Sequence, residues 1–205
     1  MAWTLAAPCR FEQDIKKSRF LAIAAPASDP GKAQSFIERC GEGDARHYCW
    51  AYRIAGEYRW NDAGEPAGTA GRPILAAIDG QQLDQVVVVV ARWFGGIKLG
   101  AGGLVRAYGG SAAECLRSAT RAEIVVYQRQ RLRLDFDALG NVHVCLQQFA
   151  AHRVEERFDA QGVELLIDVR ADQAPAFAQA LRDATRGAIV VSHADALPQA
   201  PYSPD

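Results

Sequence analysis

A run of five consecutive valines, residues 86–90, constrains the fold of this 205-residue sequence more than any other feature. β-branched residues favour strands, and an apolar run without alternation is typical of a central strand that is covered on both faces. A glycine-rich segment follows, 95–103, in which five of the nine residues are glycine, and then a helical pattern over 104–118. We therefore predict an α+β fold in which a buried strand leads through a glycine-rich loop into a helix.

The composition is that of an ordinary globular protein. Hydrophobic residues make up 49% of the sequence and charged residues 23%, which excludes disordered, collagen-like and coiled-coil classes. The formal net charge of −1 excludes a uniformly basic nucleic-acid-binding protein but leaves room for a local basic patch. Residues 1–128 carry 15 basic and 13 acidic side chains, whereas residues 129–205 carry 8 and 11. The first part is therefore the better candidate for binding an anionic partner.

Cysteine usage and the absence of long apolar runs bear on the compartment. The five cysteines are odd in number and include no C-x-x-C pair, so we expect reduced thiols rather than a disulfide framework or a zinc site. The first residues lack the basic segment and apolar run of a signal peptide, and no apolar run approaches the roughly 18 residues that a membrane span needs. We expect a cytoplasmic protein without a membrane partner.

Periodicity and turn residues predict two domains. In the first, 1–128, the expected elements are the strands and helices 18–25, 30–41, 46–54, 57–61, 73–79, 86–90, 104–118 and 123–128. In the second, 129–198, the expected elements are 131–137, 139–151, 153–158, 163–170, 174–185 and 188–193. Their order, β-α-β-β-α-β, is that of a ferredoxin-like fold. We expect a flexible tail over 199–205.

The glycine-rich segment is the strongest candidate for a binding site. Glycines allow backbone N–H groups to turn toward an anion, and the start of the following helix adds a favourable dipole. The candidate residues for contacts with nucleic acid are Arg92, Gly95, Gly96, Lys98, Gly100, Gly102, Gly103 and Arg106. Neither the P-loop nor the dinucleotide fingerprint fits the spacing, so we expect no nucleotide hydrolysis. Alternatively, the glycines serve only positive φ angles and close packing.

A catalytic site is less well supported by the residues. His47 and Cys49 share one face of a predicted strand, where a thiol and its base would point the same way. No third group that would orient the base can be named from the sequence, and the other histidines lack the spacing of metal ligands. We therefore predict no catalytic residue, no metal and no cofactor.

Two longer segments resemble the signatures of a known family. Segment 62–73 reads DAGEPAGTAGRP and segment 91–108 reads ARWFGGIKLGAGGLVRAY. Together with the KKSRF opening at 16–20 and with His47, Tyr52 and Arg53, they resemble the YigZ/IMPACT family over about residues 16–125. The resemblance implies a first domain similar to domain IV of elongation factor G and a second domain similar to its domain V.

Both of those domains are associated with RNA contacts, so the resemblance implies a non-catalytic RNA- or ribosome-binding protein that regulates translation or stress adaptation. Three positions depart from the family pattern, namely Ala63, Ala67 and Trp93. The family brings no catalytic residue with it, and it marks the signature loop through Asp62, Glu65, Pro66, Gly68, Thr69 and Gly71.

Two alternatives stay open at this point. One is an enzyme whose cleft lies between the loops of Glu65 and Lys98. The other is a protein-binding regulatory module that docks through Trp93 and Phe94.

Overall fold

The computed structural model describes residues 2–41 and 43–193, and the chain divides into two units, Met1–Ile124 and Val125–Asp205. The strands of the first unit are β1 (Ala2–Leu5), β2 (Cys9–Ile15), β3 (Ser18–Pro26), β4 (His47–Ile54), β5 (Glu57–Asn61), β6 (Val86–Trp93) and β7 (Arg121–Ile124). Its helices are α1 (Pro30–Cys40), α2 (Gly71–Gly80) and α3 (Ala101–Ser118). The α+β class is confirmed.

The five valines lie in the middle of a five-stranded sheet of order β2-β3-β6-β4-β5, in which all neighbours are antiparallel. Their side chains are buried alternately on the two faces. Val86, Val88 and Val90 pack in one core with helices α2 and α3, whereas Val87 and Val89 pack in a second core with α1. The expectation of a strand covered on both faces is confirmed, although the strand is antiparallel.

A local signal explains the start of α1, whereas α3 begins earlier than expected. The Asp29 side chain caps α1, as predicted, by accepting a hydrogen bond of 2.9 Å from the Lys32 backbone amide. Helix α3 begins at Ala101, three residues before the predicted start, so Gly102 and Gly103 belong to its first turn.

The N-terminal strands were not predicted from the sequence. Strand β2 lies at the edge of the sheet and alternates half-buried with charged exposed residues, which weakens its apolar signal. Strand β1 pairs with β7 as a separate two-stranded sheet, in which Ala2 lies opposite Ile124.

The second unit contains β8 (Tyr127–Leu134), α4 (Leu139–Gln148), β9 (His152–Asp159), β10 (Gly162–Arg170), α5 (Ala174–Ala184) and β11 (Val190–His193), with a 3₁₀ turn, Phe136–Ala138, before α4. Its antiparallel sheet has the order β11-β8-β10-β9. The first and second strands therefore flank the third, which is the split arrangement of the predicted ferredoxin-like fold. Leu132, Leu165, Ile167 and Phe177 lie in its core.

The structure places the division of the chain four residues before the expected boundary at 128/129. The expected strand 123–128 is two strands: β7 ends at Ile124, and β8 begins at Tyr127, which pairs with Arg170. The apolar run 124–126 bridges the two strands and conceals the break in the sequence pattern. The expected tail, 199–205, lies outside the described residues.

Candidate functional site

Four chain segments meet at one end of the five-stranded sheet. The turn of Lys16 and Lys17 joins β2 to β3, and strand β6 ends beside it, where Trp93 pairs with Arg19. Strand β4 starts at the same end, and the backbone amide of Arg46 donates to the carbonyl oxygen of Arg92 at 3.1 Å. The segment 94–100, which we call the glycine loop, leaves β6 at this point and leads into α3.

The glycines of this loop have distinct roles. A Cβ on Gly95 would lie 1.7 Å from the carbonyl oxygen of Lys17, so only glycine permits this close approach of two backbones. Gly96 and Gly100 have φ angles of +87° and +71°, which favour glycine. Gly102 and Gly103 lie in the first turn of α3, where backbone amides have no intrahelical acceptor.

Lys98 and Arg106 are exposed, whereas Arg92 is not. Arg92 follows Val86, Val88 and Val90 on the β6 face that α3 covers, and its side chain is only 6% exposed. Arg92 was a candidate for contacts with nucleic acid, and its burial corrects that expectation, whereas Lys98 and Arg106 are accessible. Alternation along β6 indicates the face of the sheet to which Arg92 points, but not that a helix covers that face.

Arg92 belongs instead to a buried polar cluster with Glu65 and Tyr108. Its Nη1 donates to Oε1 of Glu65 at 2.6 Å, and the Tyr108 hydroxyl donates to the same oxygen at 2.8 Å. The guanidinium carbon lies 5.5 Å from the ring centroids of both Phe20 and Phe94. Burial is the largest cause that raises the pKa of Tyr108, so its hydroxyl stays protonated and donates.

Hydrogen bonds between side chains and backbone groups of the same segment hold the 62–73 segment in place. Asp62 Oδ1 accepts from the amides of Ala70 and Gly71 at 2.9 and 2.8 Å, and its Oδ2 accepts from Gly68 at 2.8 Å. Asp62 therefore satisfies free amides at the start of α2. The Thr69 hydroxyl donates to the Pro66 carbonyl oxygen at 2.7 Å, which tightens the same loop.

Glycine is required at two positions of this segment. A Cβ on Gly71 would lie 2.7 Å from the Asn61 carbonyl oxygen, and Gly68 has a φ of +74°. Asp62, Gly68, Thr69 and Gly71 thus shape the loop, whereas Glu65 and Pro66 line a cleft.

The cleft has a volume of about 350 Å³ and lies between the 62–73 segment, the glycine loop and the start of α3. Its lining is formed by Arg46, His47, Glu65, Pro66, Arg92, Phe94, Lys98, Leu99, Gly100, Ala101 and Leu104. Three of these side chains are cationic and one is a carboxylate. The structure thus brings together the loops of Glu65 and Lys98, which are more than 30 positions apart in the sequence.

His47 and Cys49 lie on the same strand face, as predicted, but do not form a nucleophilic pair. Nδ1 of His47 lies 2.9 Å from the Ala63 carbonyl oxygen, which holds the ring with its Nε2 4.0 Å from Oε1 of Glu65. The Cys49 thiol donates to the Asp62 carbonyl oxygen at 3.0 Å, and burial raises its pKa to about 12. A thiol with such a pKa is a poor nucleophile at neutral pH.

Arg46, Leu99, Leu104 and Tyr108 are site residues that the sequence reasoning did not single out. Leu104 and Tyr108 are one turn apart on α3, so their helical spacing predicts a shared face but not a cleft or a partner for Glu65. Arg46 precedes β4, and no motif or periodicity in the sequence marks it as a residue of the cleft.

Comparison with known proteins decides the family. A model of the Impact N-terminal domain matches residues 16–116, and a model of the domain DUF1949 matches residues 132–188. An IMPACT family member of Thermus thermophilus, described as lying in the pol 5′ region, is 46% identical over 180 residues, which cover 86% of this chain and 98% of that protein. The chain belongs to the IMPACT family.

A further IMPACT family member and a solved structure also match over nearly their full length. YigZ of Escherichia coli is 34% identical over 197 residues, which cover 92% of this chain and 96% of YigZ. A crystal structure of a hypothetical protein has 32% identity and a TM-score of 0.71, and the match covers 95% of this chain and 97% of that one. The resemblance noted in the sequence is therefore confirmed, and with it the IMPACT assignment of both units.

In this IMPACT protein, Trp93 is engaged within its own unit. Its Nε1 donates to Oδ1 of Asp44 at 2.9 Å, and the Arg19 guanidinium lies 4.4 Å from its ring centroid. Phe94 is 43% exposed and lies on the wall of the cleft. Trp93 thus offers less free surface for a partner than the sequence had indicated. Within the described residues, no helix combines the length and apolar character that crossing a membrane requires.

Proposed function

We propose that this IMPACT family member is a non-catalytic, cytoplasmic protein that binds RNA or a ribosomal surface and modulates translation or stress adaptation. The observation that carries the proposal is the position of Lys98. It lies exposed on the glycine loop, three residues before the start of α3, and lines a cleft together with the exposed Arg46.

The backbone supports contacts with phosphate groups. Amides in the first turn of α3 have no intrahelical acceptor, and the positive end of the helix dipole favours an anion there. Lys98 precedes that turn and Arg106 follows it, and both add exposed positive charge. Contacts of this kind fix the position of a strand without reading its sequence.

Exposed apolar side chains beside these cations support binding to single-stranded nucleic acid. Phe94 is 43% exposed and Ile97 is 42% exposed, and both flank the glycines of the loop. An aromatic ring next to a cationic groove is a stacking platform for an unpaired base. The combination favours RNA over a purely acidic protein partner.

The arrangement of the polar groups favours binding over catalysis. Glu65 accepts from Arg92 and Tyr108 through one oxygen, and both donors are buried, so this carboxylate is anchored as part of the structure. Cys49 carries a proton at neutral pH because burial raises its pKa to about 12. We therefore assign no reaction to the cleft.

The test measures binding of RNA and of ribosomes to the full chain as a function of salt. Lys98→Ala should weaken binding about equally for all RNA sequences and lower the slope of log affinity against log salt by roughly 1. Adding Arg106→Ala should lower the affinity and slope further. Lys32→Ala is the matched control, because Lys32 is exposed on α1, on the opposite face of the sheet from α3.

Three results would contradict the proposal. The first is that the parent protein binds neither RNA nor ribosomes at low salt. The second is that Lys98→Ala retains the affinity of the parent. Equal losses in Lys98→Ala and Lys32→Ala would mean that binding follows net charge rather than this site.

A further inference from the structure

We propose that the cleft beside Glu65 receives a single unstacked base of the bound strand, and that Glu65 favours bases with an exocyclic amino group over uracil. This inference rests on the proposed RNA binding, and it adds a base-reading residue to a site that otherwise contacts phosphates. It assigns the cleft a ligand of defined size and hydrogen-bonding pattern.

The size and the walls of the cleft fit a base. Its volume of about 350 Å³ is at the lower end of the range for small-molecule sites, which are apolar with a few placed polar groups. The walls are formed by Pro66, Phe94, Leu99 and Leu104, of which Phe94 offers a ring face for stacking. A planar base is an apolar slab with a polar edge, so it would bury its faces here.

Glu65 supplies an acceptor that the protein itself does not use. Its side chain is only 5% exposed, and its Oε1 accepts from both Arg92 and Tyr108. Among the described residues, none donates to its Oε2. Oε2 keeps some accessible surface, and Glu65 is one of the residues that line the cleft. A nearly buried carboxylate oxygen without a donor is a built recognition point for an N–H group.

The chemistry of the base edges then sets the preference. A carboxylate only accepts hydrogen bonds, so it favours an amino group such as N4 of cytosine. The N3–H of uracil lies between two carbonyl oxygens, whose lone pairs would face the carboxylate. An amino group donates a hydrogen bond to Oε2. The carbonyl oxygens of uracil cannot donate, so Oε2 would stay without a hydrogen bond.

The cations at the rim explain how a base would be presented. Arg46 and Lys98 lie on the lining of the same cleft and are exposed, so they can hold the phosphates on either side of an inserted nucleotide. Recognition of unstacked bases in single strands, by stacking and by their Watson–Crick edges, is the usual way in which proteins read RNA sequence.

The experiment compares two labelled RNA strands of equal length, oligocytidylate and oligouridylate, by fluorescence anisotropy at one salt concentration and neutral pH. Both bases are pyrimidines, so their sizes are closely matched, and the cleft variants below separate hydrogen bonding in the cleft from differences in stacking between the two strands. The parent protein should bind oligocytidylate about five- to tenfold more tightly, as expected when one hydrogen bond to a buried acceptor is made or lost.

Two variants locate the preference. Ala101→Trp places a bulky ring at the mouth of the cleft, from an exposed position that lines it, and should make the two affinities equal while the salt dependence remains. Ala76→Trp, at an exposed position of α2 away from the cleft lining, is the matched control and should keep the preference. Glu65→Gln should also abolish it, in preparations that circular dichroism shows to be folded.

The outcomes separate the two proposals. Equal, salt-dependent binding of both strands by the parent overturns the base-reading role of Glu65 and leaves the proposed RNA binding standing. A preference that persists in Ala101→Trp places base reading outside the cleft and overturns it as well. No binding of either strand overturns both.

Discussion

Nη1 of Arg92 lies 2.6 Å from Oε1 of Glu65, and the two side chains are 6% and 5% exposed. The pair joins the loop that follows β5 to the end of the central strand, and Tyr108 joins α3 to the same carboxylate. The 62–73 segment, β6 and α3 are thus fixed around one oxygen atom. Loss of either charge would leave the other buried without its partner.

Glu65→Gln should lower the free energy of unfolding of the first unit by about 3 kcal/mol, because it leaves the buried Arg92 guanidinium without a counter-charge. Urea unfolding followed by tryptophan fluorescence measures this, since all four tryptophans lie in the first unit. Glu12→Gln is the control. It breaks the pair with Arg19, whose side chains are both 48% exposed, and should leave the midpoint nearly unchanged. Similar losses in the two variants would show that burial does not set the strength of these pairs.

Gly95→Ala should strongly destabilise the first unit, by more than about 2 kcal/mol, since a Cβ there would overlap the Lys17 backbone and force β3 and β6 apart. Gly110→Ala serves as the comparison. Gly110 lies inside α3, and a Cβ added to it would meet no atom within 4 Å, so alanine should stabilise the helix by up to about 1 kcal/mol. Thermal unfolding of both variants tests the pair, and a Gly95→Ala protein as stable as the parent would contradict the close approach.

Stability should decline at alkaline pH in part because of Cys49. Burial raises the pKa of this thiol from 9.0 to about 12, so the unfolded chain releases the proton at a lower pH than the folded protein does. The folded state therefore loses stability as the pH rises above 9, by up to about 1.4 kcal/mol per pH unit from this group. Denaturant unfolding at several pH values between about 8 and 11, which include the pH at which the decline begins, should show a smaller decline in Cys49→Ala. Parallel curves for the variant and the parent would exclude Cys49 as a cause.

In the second unit, Asp168→Ala should lower the free energy of unfolding by about 2 kcal/mol, because Arg129 loses two charge-assisted hydrogen bonds of 2.8 Å. The Asp168 side chain is 8% exposed. Asp172→Ala removes a carboxylate that is 63% exposed and paired with Arg170, and should have little effect. Circular dichroism during urea unfolding follows both units and tryptophan fluorescence follows the first alone, so the difference between the two signals reports on this unit. A larger loss in Asp172→Ala would reverse the argument.

The sequence predicted those parts of the fold in which a residue type has one strong structural preference. The valines required a strand buried on both faces, Asp29 marked the start of α1, and the hairpin of β9 and β10 followed from its turn residues. The candidate site was predictable as a meeting of two loops. The contact of Glu65 with Arg92 and Tyr108 was not, because alternation and helical spacing assign a side chain to a face and carry no information on which other element covers that face.

The pairing of β1 with β7 has a consequence for the order in which the chain can fold. Ala2 lies opposite Ile124, so β1 can pair with β7 only after some 120 further residues have been made. Until then, the Thr4 and Leu5 side chains, which are buried in the folded unit, lack part of the surface that covers them. During synthesis, the five-stranded sheet and α3 can assemble before β1 pairs with β7. The second unit begins directly after β7, so its synthesis starts at about the time when this pairing becomes possible.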